Sequence, residues 1–291
     1  MPSNILDRPA PPPGTRIAYG AAPQQFGDLR LPAGAGPHPV VVGIHGGYWR
    51  ARYGLDYFGH ACAALTAAGA ATWNIEYRRL GQRGGGWPGT FLDVAAAVDH
   101  LRALAERAPL DLARVVTFGH SAGGQLALWA AGRTRIPTGS PLHPSQDPPG
   151  SSGPFAGLSG PRLARTPLPV RAVVSLAGVC DLRRAWQRRL SAGVTRQVMG
   201  GAPAKVPERY AAASPAELLP LGVAQVLIHG TADDSVPYDL SADYAAAARA
   251  AGDPATLITL RGADHFAIVD PAAPEWAAVR RAMLPLLGLA V

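Results

Sequence analysis

Short apolar runs of strand length alternate with longer helical patterns along most of this chain. Three early runs, at residues 39–44, 70–75 and 114–118, are dominated by Val, Ile, Ala and aromatic residues. Between such runs lie stretches with helical spacing or strong helix formers, as at residues 122–131. Strands that alternate with helices pair in parallel, and the helices cover the sheet. The sequence therefore predicts an α/β fold with a mainly parallel central sheet flanked by helices.

The same alternation continues toward both ends of the chain, which supports a single domain over residues 1–291. A chain of 291 residues is compatible with one large α/β domain. Further helices are predicted after Pro88 and over residues 238–251 and 275–287. The further predicted strands cover residues 15–19, 25–31, 172–176, 226–228 and 256–260.

Two segments depart from this alternation. Residues 136–169 contain nine Pro, five Gly and five Ser in 34 positions. Pro removes a backbone donor and fixes φ, so such a segment sustains neither a helix interior nor a central strand. We predict a Pro/Gly/Ser-rich insertion here. Residues 181–213 begin with an Arg-rich helical stretch, and we predict that they form a small cap.

Composition and cysteine content exclude several classes of protein. Hydrophobic residues make up 48% of the chain, but no apolar run approaches the length of a membrane-spanning helix. Prolines interrupt the amino-terminal residues where a signal peptide requires an apolar stretch. Cys62 and Cys180 have no CxxC or metal-ligand spacing, which favours two buried thiols. We therefore expect a cytoplasmic protein without a membrane span, a bound metal or a cofactor.

The net charge of +7 is unevenly distributed along the chain. Residues 133–196 contain ten Arg and two acidic residues, so this window alone carries +8. The remaining residues are nearly neutral in sum, and no aromatic-interleaved basic motif occurs. We therefore predict no nucleic-acid partner, although the basic window could attract anionic substrates or surfaces.

The sequence Gly119-His120-Ser121-Ala122-Gly123 is a G-x-S-x-G motif between a predicted strand and a predicted helix. A serine at such a turn is exposed at the end of the sheet, where the helix amino terminus faces developing negative charge. Glycines two residues to either side allow the strand and the helix to approach closely. A serine that only caps a helix would not need both glycines. The pattern therefore predicts that Ser121 is a nucleophile.

A nucleophilic serine needs a base, and the base needs an acid that orients it. Asp233 follows one predicted strand, and His265 follows the next. The order Ser, Asp, His is that of the nucleophile-elbow hydrolases. We predict that His265 takes the proton of Ser121 and that Asp233 fixes the tautomer of the imidazole. Asp234 is the alternative acid, whereas Asp264 is expected on the surface.

The sequence HGGYW, which begins at His45, follows an early predicted strand. Its glycines let backbone N–H groups approach a bound carbonyl oxygen. We predict an oxyanion hole formed by the N–H groups of Gly47, Tyr48 and Ala122; a tight turn alone is the alternative. Trp49 is a candidate substrate-binding residue, with packing in the core as its alternative.

Three further side chains lie near these motifs. His120 precedes the serine, and we expect its ring to point away from the base. His229 ends a strand and is interpreted as a structural residue with satisfied hydrogen bonds. Trp186 lies in the predicted cap and is the second candidate for substrate binding. The alternative for this Arg-rich stretch is an exposed basic helix with an apolar seam, which would form no cap.

The motifs HGGYW, GHSAG, HGTADDSVP and DHF occur in this order between residues 38 and 270. In this respect the chain resembles α/β-hydrolases of the esterase/lipase group. HGGYW is most similar to the kynurenine formamidase (arylformamidase) branch and its bacterial carboxylesterase relatives. The resemblance implies that the serine, aspartate and histidine named above form a triad, and that the three N–H groups form the oxyanion hole.

Three functions are compatible with these residues. The leading hypothesis is a serine hydrolase that cleaves small carboxylic esters through an acyl-enzyme, because the set of candidate groups is complete. The second is an arylformamidase acting on N-formylkynurenine-like formanilides, since the same acyl-transfer groups serve both reactions. The third is a catalytically silent, hydrolase-like binding protein, for which an incomplete triad would be the mark. Each enzyme hypothesis implies a small-molecule ester or formamide as the partner.

Overall fold

The computed structural model describes residues 5–144 and 166–291. Within these residues one sheet of eight strands has the spatial order β1-β2-β4-β3-β5-β6-β7-β8. Every predicted strand is present, and those predicted at residues 39–44, 114–118 and 226–228 extend beyond their predicted bounds. The strands are β1 (Thr15–Ala18), β2 (Phe26–Arg30), β3 (His38–Ile44), β4 (Ala71–Ile75), β5 (Leu110–His120), β6 (Ala172–Leu176), β7 (Ala224–Gly230) and β8 (Ala255–Leu260).

Strand direction follows the length of the connections. The six strands from β4 across to β8 pair in parallel. In contrast, β2 pairs antiparallel with both β1 and β4. The connection between β1 and β2 spans only residues 19–25, and a connection this short can join only antiparallel neighbours. The prediction of a mainly parallel sheet is confirmed.

Nine α-helices occur in the described ranges, most of them between consecutive strands. The helix predicted at residues 122–131 has the predicted bounds, and those predicted at residues 238–251 and 275–287 agree within one residue at each end. The helices are α1 (Phe58–Ala67), α2 (Gly89–Asp99), α3 (Leu101–Ala105), α4 (Ala122–Ala131), α5 (Leu182–Gln187), α6 (Leu190–Met199), α7 (Pro207–Ala213), α8 (Tyr238–Ala250) and α9 (Trp276–Leu286).

Hydrophobic side chains fill both faces of the sheet. In β3, Val40 and Val42 belong to the core shared with α2 and α4, whereas Val41 belongs to the core shared with α1 and α9. This alternation follows from the two-residue period of a strand. All residues of β3 are buried, as expected for a central parallel strand with helices on both faces.

The Arg-rich stretch after β6 forms two helices instead of one. Ser191, Ala192 and Gly193 have φ angles of 45°, 57° and 77°, so the chain turns to the left-handed region before α6 becomes regular. The spacing of apolar residues cannot reveal such a break, because the break depends on the backbone angles of three residues. The role of residues 181–213 as a cap stays a prediction.

Residues 145–165 of the predicted insertion lie outside the described residues. The following residues rejoin the fold at the amino-terminal end of the parallel strands. The N–H of Leu168 donates to Oδ1 of Asp99 at the end of α2 over 2.8 Å. The N–H of Arg171 donates to the carbonyl of Val115 over 2.8 Å, just before β6 begins. This end of the insertion therefore lies opposite the carboxyl ends of the strands.

Both cysteines are buried free thiols, as the sequence predicts. Burial raises the pKa of Cys180 to about 12, so its thiol is protonated at neutral pH and is a poor nucleophile. In the part of the chain that the structure describes, no helix has both the length and the apolar character needed to cross a membrane.

Candidate active site

Ser121 occupies a sharp turn between the central strand and a buried helix. Strand β5 ends one residue before it, and α4 begins one residue after it. Its backbone angles, φ 59° and ψ −121°, are unfavourable for a residue with a side chain. The N–H of Ser121 donates to the carbonyl of Leu176 over 2.8 Å, which anchors this conformation to β6. Strain held in this way is typical of functional positions.

The two glycines of the motif are required by the close approach of backbones. A Cβ atom on Gly119 would lie 2.0 Å from the carbonyl oxygen of Gly123. A Cβ atom on Gly123 would lie 2.0 Å from the carbonyl oxygen of Ile44 in β3. No side chain fits at either position, which is the packing that the G-x-S-x-G pattern predicts.

His265 and Asp233 form a buried pair at the carboxyl ends of the strands. Nδ1 of His265 lies 2.7 Å from Oδ2 of Asp233, whose side chain is fully buried. The other carboxylate oxygen accepts the backbone N–H groups of Ser235 and Val236 over 2.9 and 2.8 Å. The neighbouring Asp234 is exposed and bonds the hydroxyl of Ser235 instead. The structure thus brings Asp233, and not Asp234, to the imidazole.

The carboxyl group of Asp233 is held in its ionised form. Burial alone would raise its pKa, but hydrogen bonds from His229 and His265 outweigh burial and hold the pKa well below its usual value. A carboxylate next to Nδ1 keeps the proton of the imidazole on that nitrogen. Nε2 of His265 is then left with its lone pair, as a general base requires.

His229 is a site residue whose contact with the acid the sequence analysis missed. Its Nε2 lies 3.1 Å from Oδ2 of Asp233 and 2.9 Å from the carbonyl of Val236. Because both of these atoms accept, Nε2 must carry the proton, and the hydroxyl of Ser241 then donates to Nδ1 over 2.8 Å. The hydrogen bonds are satisfied, as predicted, but one of them positions the acid. The spacing of four residues between His229 and Asp233 at a strand end was the available signal.

His120 does not point away from the predicted base, and that expectation is wrong. Its ring centroid lies 4.5 Å from that of His265. Nε2 of His120 bonds the carbonyl of His265 over 2.9 Å, and Nδ1 bonds the hydroxyl of Tyr57 over 2.9 Å. The ring of His120 therefore packs against the loop that carries His265. Burial and the nearby His265 lower the pKa of His120, so its ring is neutral.

The hydroxyl of Tyr57 joins this histidine to the HGGYW loop. It accepts the N–H of Gly46 over 2.7 Å, and its own proton is therefore available to Nδ1 of His120. Nε2 of His120 consequently donates to the carbonyl of His265. One buried chain of hydrogen bonds thus links the HGGYW loop, the residue before Ser121, and the histidine loop.

The HGGYW loop lies directly against the serine. A Cβ atom on Gly46 would lie 2.9 Å from Cβ of Ser121. Gly47, Tyr48 and Trp49 all have positive φ angles, of 106°, 52° and 56°, which turn their peptide groups away from the path of β3. Among the described residues, the N–H groups of Gly47 and Tyr48 find no hydrogen-bond acceptor. Free donors beside a nucleophile are what an oxyanion hole needs.

The loop is fastened at both ends of its turn. Nε2 of His45 bonds Glu76 over 2.9 Å, and the hydroxyl of Tyr77 donates to the carbonyl of His45 over 2.7 Å. The hydroxyl of Tyr48 donates to the carbonyl of Ser235 in the loop that carries the acid. Burial, then nearby acidic groups, raises the pKa of Tyr48 to about 12, so this donor is retained at neutral pH.

The two candidate substrate-binding tryptophans lie in different surroundings. Trp49 is only 1% exposed, and its indole N–H donates to Oε1 of Gln125 over 3.2 Å. It therefore packs in the core, which is the alternative stated for it. Trp186 is half-buried and lines a surface cleft formed by α5 and α6. Asp264 is exposed, as predicted, and accepts two N–H groups of its own turn.

Several solved structures share this fold. A truncated carbohydrate esterase from gut microbiota has a TM-score of 0.77 at 22% identity, with 98% of this chain and 100% of that chain covered. Esterase 2 of Thermogutta terrifontis with propionate bound has a TM-score of 0.70 at 21% identity, covering 96% and 97%. An acetyl ester-xyloside bifunctional hydrolase from Caldicellulosiruptor lactoaceticus gives 0.69 at 19% identity, covering 95% and 97%. These similarities confirm the predicted α/β-hydrolase fold.

The family comparison covers most of the chain. In a separate comparison, no curated protein matches this chain. The model of the BD-FAE family matches residues 28–247, a range that includes Ser121 and Asp233. The resemblance to the esterase/lipase group is confirmed, whereas the similarity to kynurenine formamidases stays a prediction. On the extent of the family match, this chain belongs to the BD-FAE family.

Proposed function

We propose that this protein is a serine hydrolase that cleaves small carboxylic esters through an acyl-enzyme. The observation that carries the proposal is the convergence of three elements at one end of the sheet. These are the strained serine turn, the buried His265–Asp233 pair, and the loop with free N–H groups against Ser121. Together they supply a nucleophile, a base with its acid, and donors for a developing oxyanion.

In the first half of the reaction, Nε2 of His265 accepts the proton of the Ser121 hydroxyl while Oγ attacks the ester carbonyl. The N–H groups of Gly47, Tyr48 and Ala122 stabilise the negative charge that develops on the carbonyl oxygen. The imidazolium then gives its proton to the leaving alkoxide, and the alcohol departs. The acyl group remains bound to Oγ.

In the second half, water replaces the alcohol. His265 accepts a proton from water, whose oxygen attacks the acyl carbon, and the same donors stabilise the second tetrahedral intermediate. Collapse of this intermediate releases the carboxylic acid and returns the proton to Ser121. Throughout, the carboxylate of Asp233 stabilises the positive charge on the imidazole without taking its proton.

The structural neighbours support ester substrates with short acyl groups. One is described as an acetyl ester-xyloside bifunctional hydrolase, and another holds propionate. We propose acyl chains of this size for the present protein. The amide-cleaving alternative uses the same groups, so it enters as an outcome of the test.

The proposal is tested by steady-state hydrolysis of p-nitrophenyl acetate, p-nitrophenyl octanoate and N-formylkynurenine. The wild type is compared with Ser121→Ala and with Ser140→Ala, a serine that follows α4 on the far side of the fold. We expect acetate turnover to exceed octanoate turnover and to vanish only in Ser121→Ala. Unchanged turnover in Ser121→Ala would refute the proposal. A higher kcat/KM for N-formylkynurenine would assign the formamidase activity instead, and inactivity on all three would favour a binding protein.

A further inference from the structure

The region after β6 contains a surface cleft of about 630 Å³. It lies between the end of α5 and the regular part of α6, where the chain passes through its three left-handed residues. None of the described residues that line it is acidic. The polar and aromatic side chains that line it are Trp186, Gln187, Arg189, Arg196 and Gln197.

The arginines of this region fall into two groups. Arg183, Arg184 and Arg188 form ion pairs with acidic residues of neighbouring segments. Arg189 and Arg196, the two that line the cleft, make no ion pair with any described residue. A guanidinium stays charged at all physiological pH values. The cleft therefore presents two uncompensated positive charges beside one indole ring.

The cleft is attached to the segments that build the candidate active site. Nη2 of Arg50, two residues after Tyr48, donates to the carbonyl of Ser191 over 2.7 Å. The segment that leads into α5 also contacts the serine turn. There the N–H of Val179 donates to the carbonyl of Ser121 over 3.3 Å.

We propose that this cleft binds the carboxylate of an ester substrate between Arg189 and Arg196. Guanidinium groups bind planar carboxylates through paired hydrogen bonds. The indole of Trp186 offers an apolar surface to the part of the substrate that bears the carboxylate, and Gln187 and Gln197 offer further donors. This inference rests on the proposed ester hydrolysis and narrows it to acid-bearing esters.

Two comparisons of charged with neutral esters test the proposal, because a substrate can carry the carboxylate on its leaving group or on its acyl group. In one pair the charge is on the leaving group: 4-acetoxybenzoate is compared with its neutral methyl ester. In the other it is on the acyl group: p-nitrophenyl half-esters of succinic to sebacic acid are compared with neutral p-nitrophenyl esters of equal chain length. The measured quantity is the ratio of kcat/KM between the charged and the neutral member. A series of chain lengths covers different distances between the serine and the cleft.

The variants are Arg189→Gln, Arg196→Gln and the double variant. Arg188→Gln is the matched control, because it removes the same charge from the neighbouring position, which does not line the cleft. We expect the wild type to prefer the charged member of at least one pair. The ratio should fall about tenfold in each single variant, as for loss of a charge-assisted hydrogen bond, and should stay the same in Arg188→Gln. Added salt should weaken the preference.

Equal ratios in the wild type and in the cleft variants, for both pairs, would overturn the inference. An equal fall in Arg188→Gln would do so too, since it would indicate a general effect of charge. If free benzoate changes turnover of a neutral ester without competing, and the cleft variants abolish this effect, the carboxylate belongs to a separate effector and not to the substrate.

A binding measurement separates failure of this inference from failure of the proposed function. Titration calorimetry of 4-acetoxybenzoate into Ser121→Ala requires no turnover. Suppose that Ser121→Ala binds 4-acetoxybenzoate, that adding Arg196→Gln abolishes this binding, and that the wild type hydrolyses none of the esters. This result would support carboxylate binding in the cleft and reject the proposed hydrolase activity. Hydrolysis of neutral esters without such binding, and without a charged preference, would support the hydrolase and reject the cleft.

Discussion

His229 donates from Nε2 to the carboxylate oxygen of Asp233 that also binds His265, over distances of 3.1 and 2.7 Å. One oxygen atom therefore joins two imidazoles with different tasks. One imidazole holds the acid in place, and the other is the proposed base. Since Oδ1 is already engaged by two backbone N–H groups, the carboxylate cannot rotate without losing several hydrogen bonds.

Substitution of His229 by Gln should therefore lower kcat without a matching change in KM. We expect a fall of about tenfold, the size of one hydrogen bond to a charged group. Because this hydrogen bond lowers the pKa of Asp233, its loss raises that pKa. The carboxyl group of Asp233 stays ionised at neutral pH in either case, so the loss reflects its position and not its charge. Steady-state kcat and KM at neutral pH check this, with His100→Gln as the control, and an unchanged kcat would contradict the role.

The hydroxyl of Tyr57 predicts a stability effect. In Tyr57→Phe, the N–H of Gly46 loses its acceptor and Nδ1 of His120 loses its donor, both in a buried position. An unsatisfied buried group costs about 1–3 kcal/mol, so we expect unfolding free energy to fall by at least about 2 kcal/mol. Urea denaturation measures this change.

The control for that experiment is Tyr238→Phe. The hydroxyl of Tyr238 bonds Thr259 at the exposed surface, and its loss should change the unfolding free energy by less than about 0.5 kcal/mol. Equal losses of unfolding free energy in the two variants would show that the buried hydrogen bonds of Tyr57 contribute no more to stability than an exposed one.

The packing at Gly123 predicts that no side chain is tolerated there. Gly123→Ala would place a Cβ atom 2.0 Å from a carbonyl oxygen of β3, and the backbone must move. We expect a loss of about 3 kcal/mol or more in unfolding free energy, together with loss of ester hydrolysis. Thermal denaturation and activity on p-nitrophenyl acetate are the measurements.

Gly59→Ala provides the contrast. This helical position in α1 has ordinary contact distances of 3.5 Å or more for an added Cβ. Alanine has the higher helix propensity, so we expect stability to rise by up to about 1 kcal/mol. Similar destabilisation at both positions would contradict the packing argument.

The two cysteines predict a difference between the folded and the unfolded protein. Burial raises the pKa of both Cys62 and Cys180 to about 12, so neither forms a thiolate at pH 8. A disulfide reagent such as 5,5′-dithiobis(2-nitrobenzoate) should therefore label neither thiol in the native state. In urea both should react. Prompt labelling of the native protein would mean that a thiol is accessible after all.

Much of the site was predictable because its signals are local. Five consecutive residues, the G-x-S-x-G motif, predict the turn at Ser121, and the loop at Gly47 directly follows a predicted strand. Asp233 and His265 follow consecutive strands, so a parallel sheet brings them to the same edge. Each inference needed only strand positions and the rule that the carboxyl ends of parallel strands meet.

The remaining contacts depend on geometry that the pattern does not contain. The direction of the His120 ring follows from the left-handed turn of the next residue, and Tyr57 reaches that ring from a separate loop. Likewise, ten arginines in one window look alike in sequence. Only packing decides that, among the described residues, Arg188 finds an acidic partner and Arg189 does not.

The place at which Leu168 rejoins the fold has a practical meaning. The proline-rich segment returns to the sheet at the end of α2, on the opposite side of the domain from Ser121. A fusion partner, an affinity tag or a linker to a solid support attached beside Leu168 would therefore start on the side of the domain away from the candidate active site. The neighbourhood of Leu168 thus suits attachment of the protein to a surface for the assays proposed above.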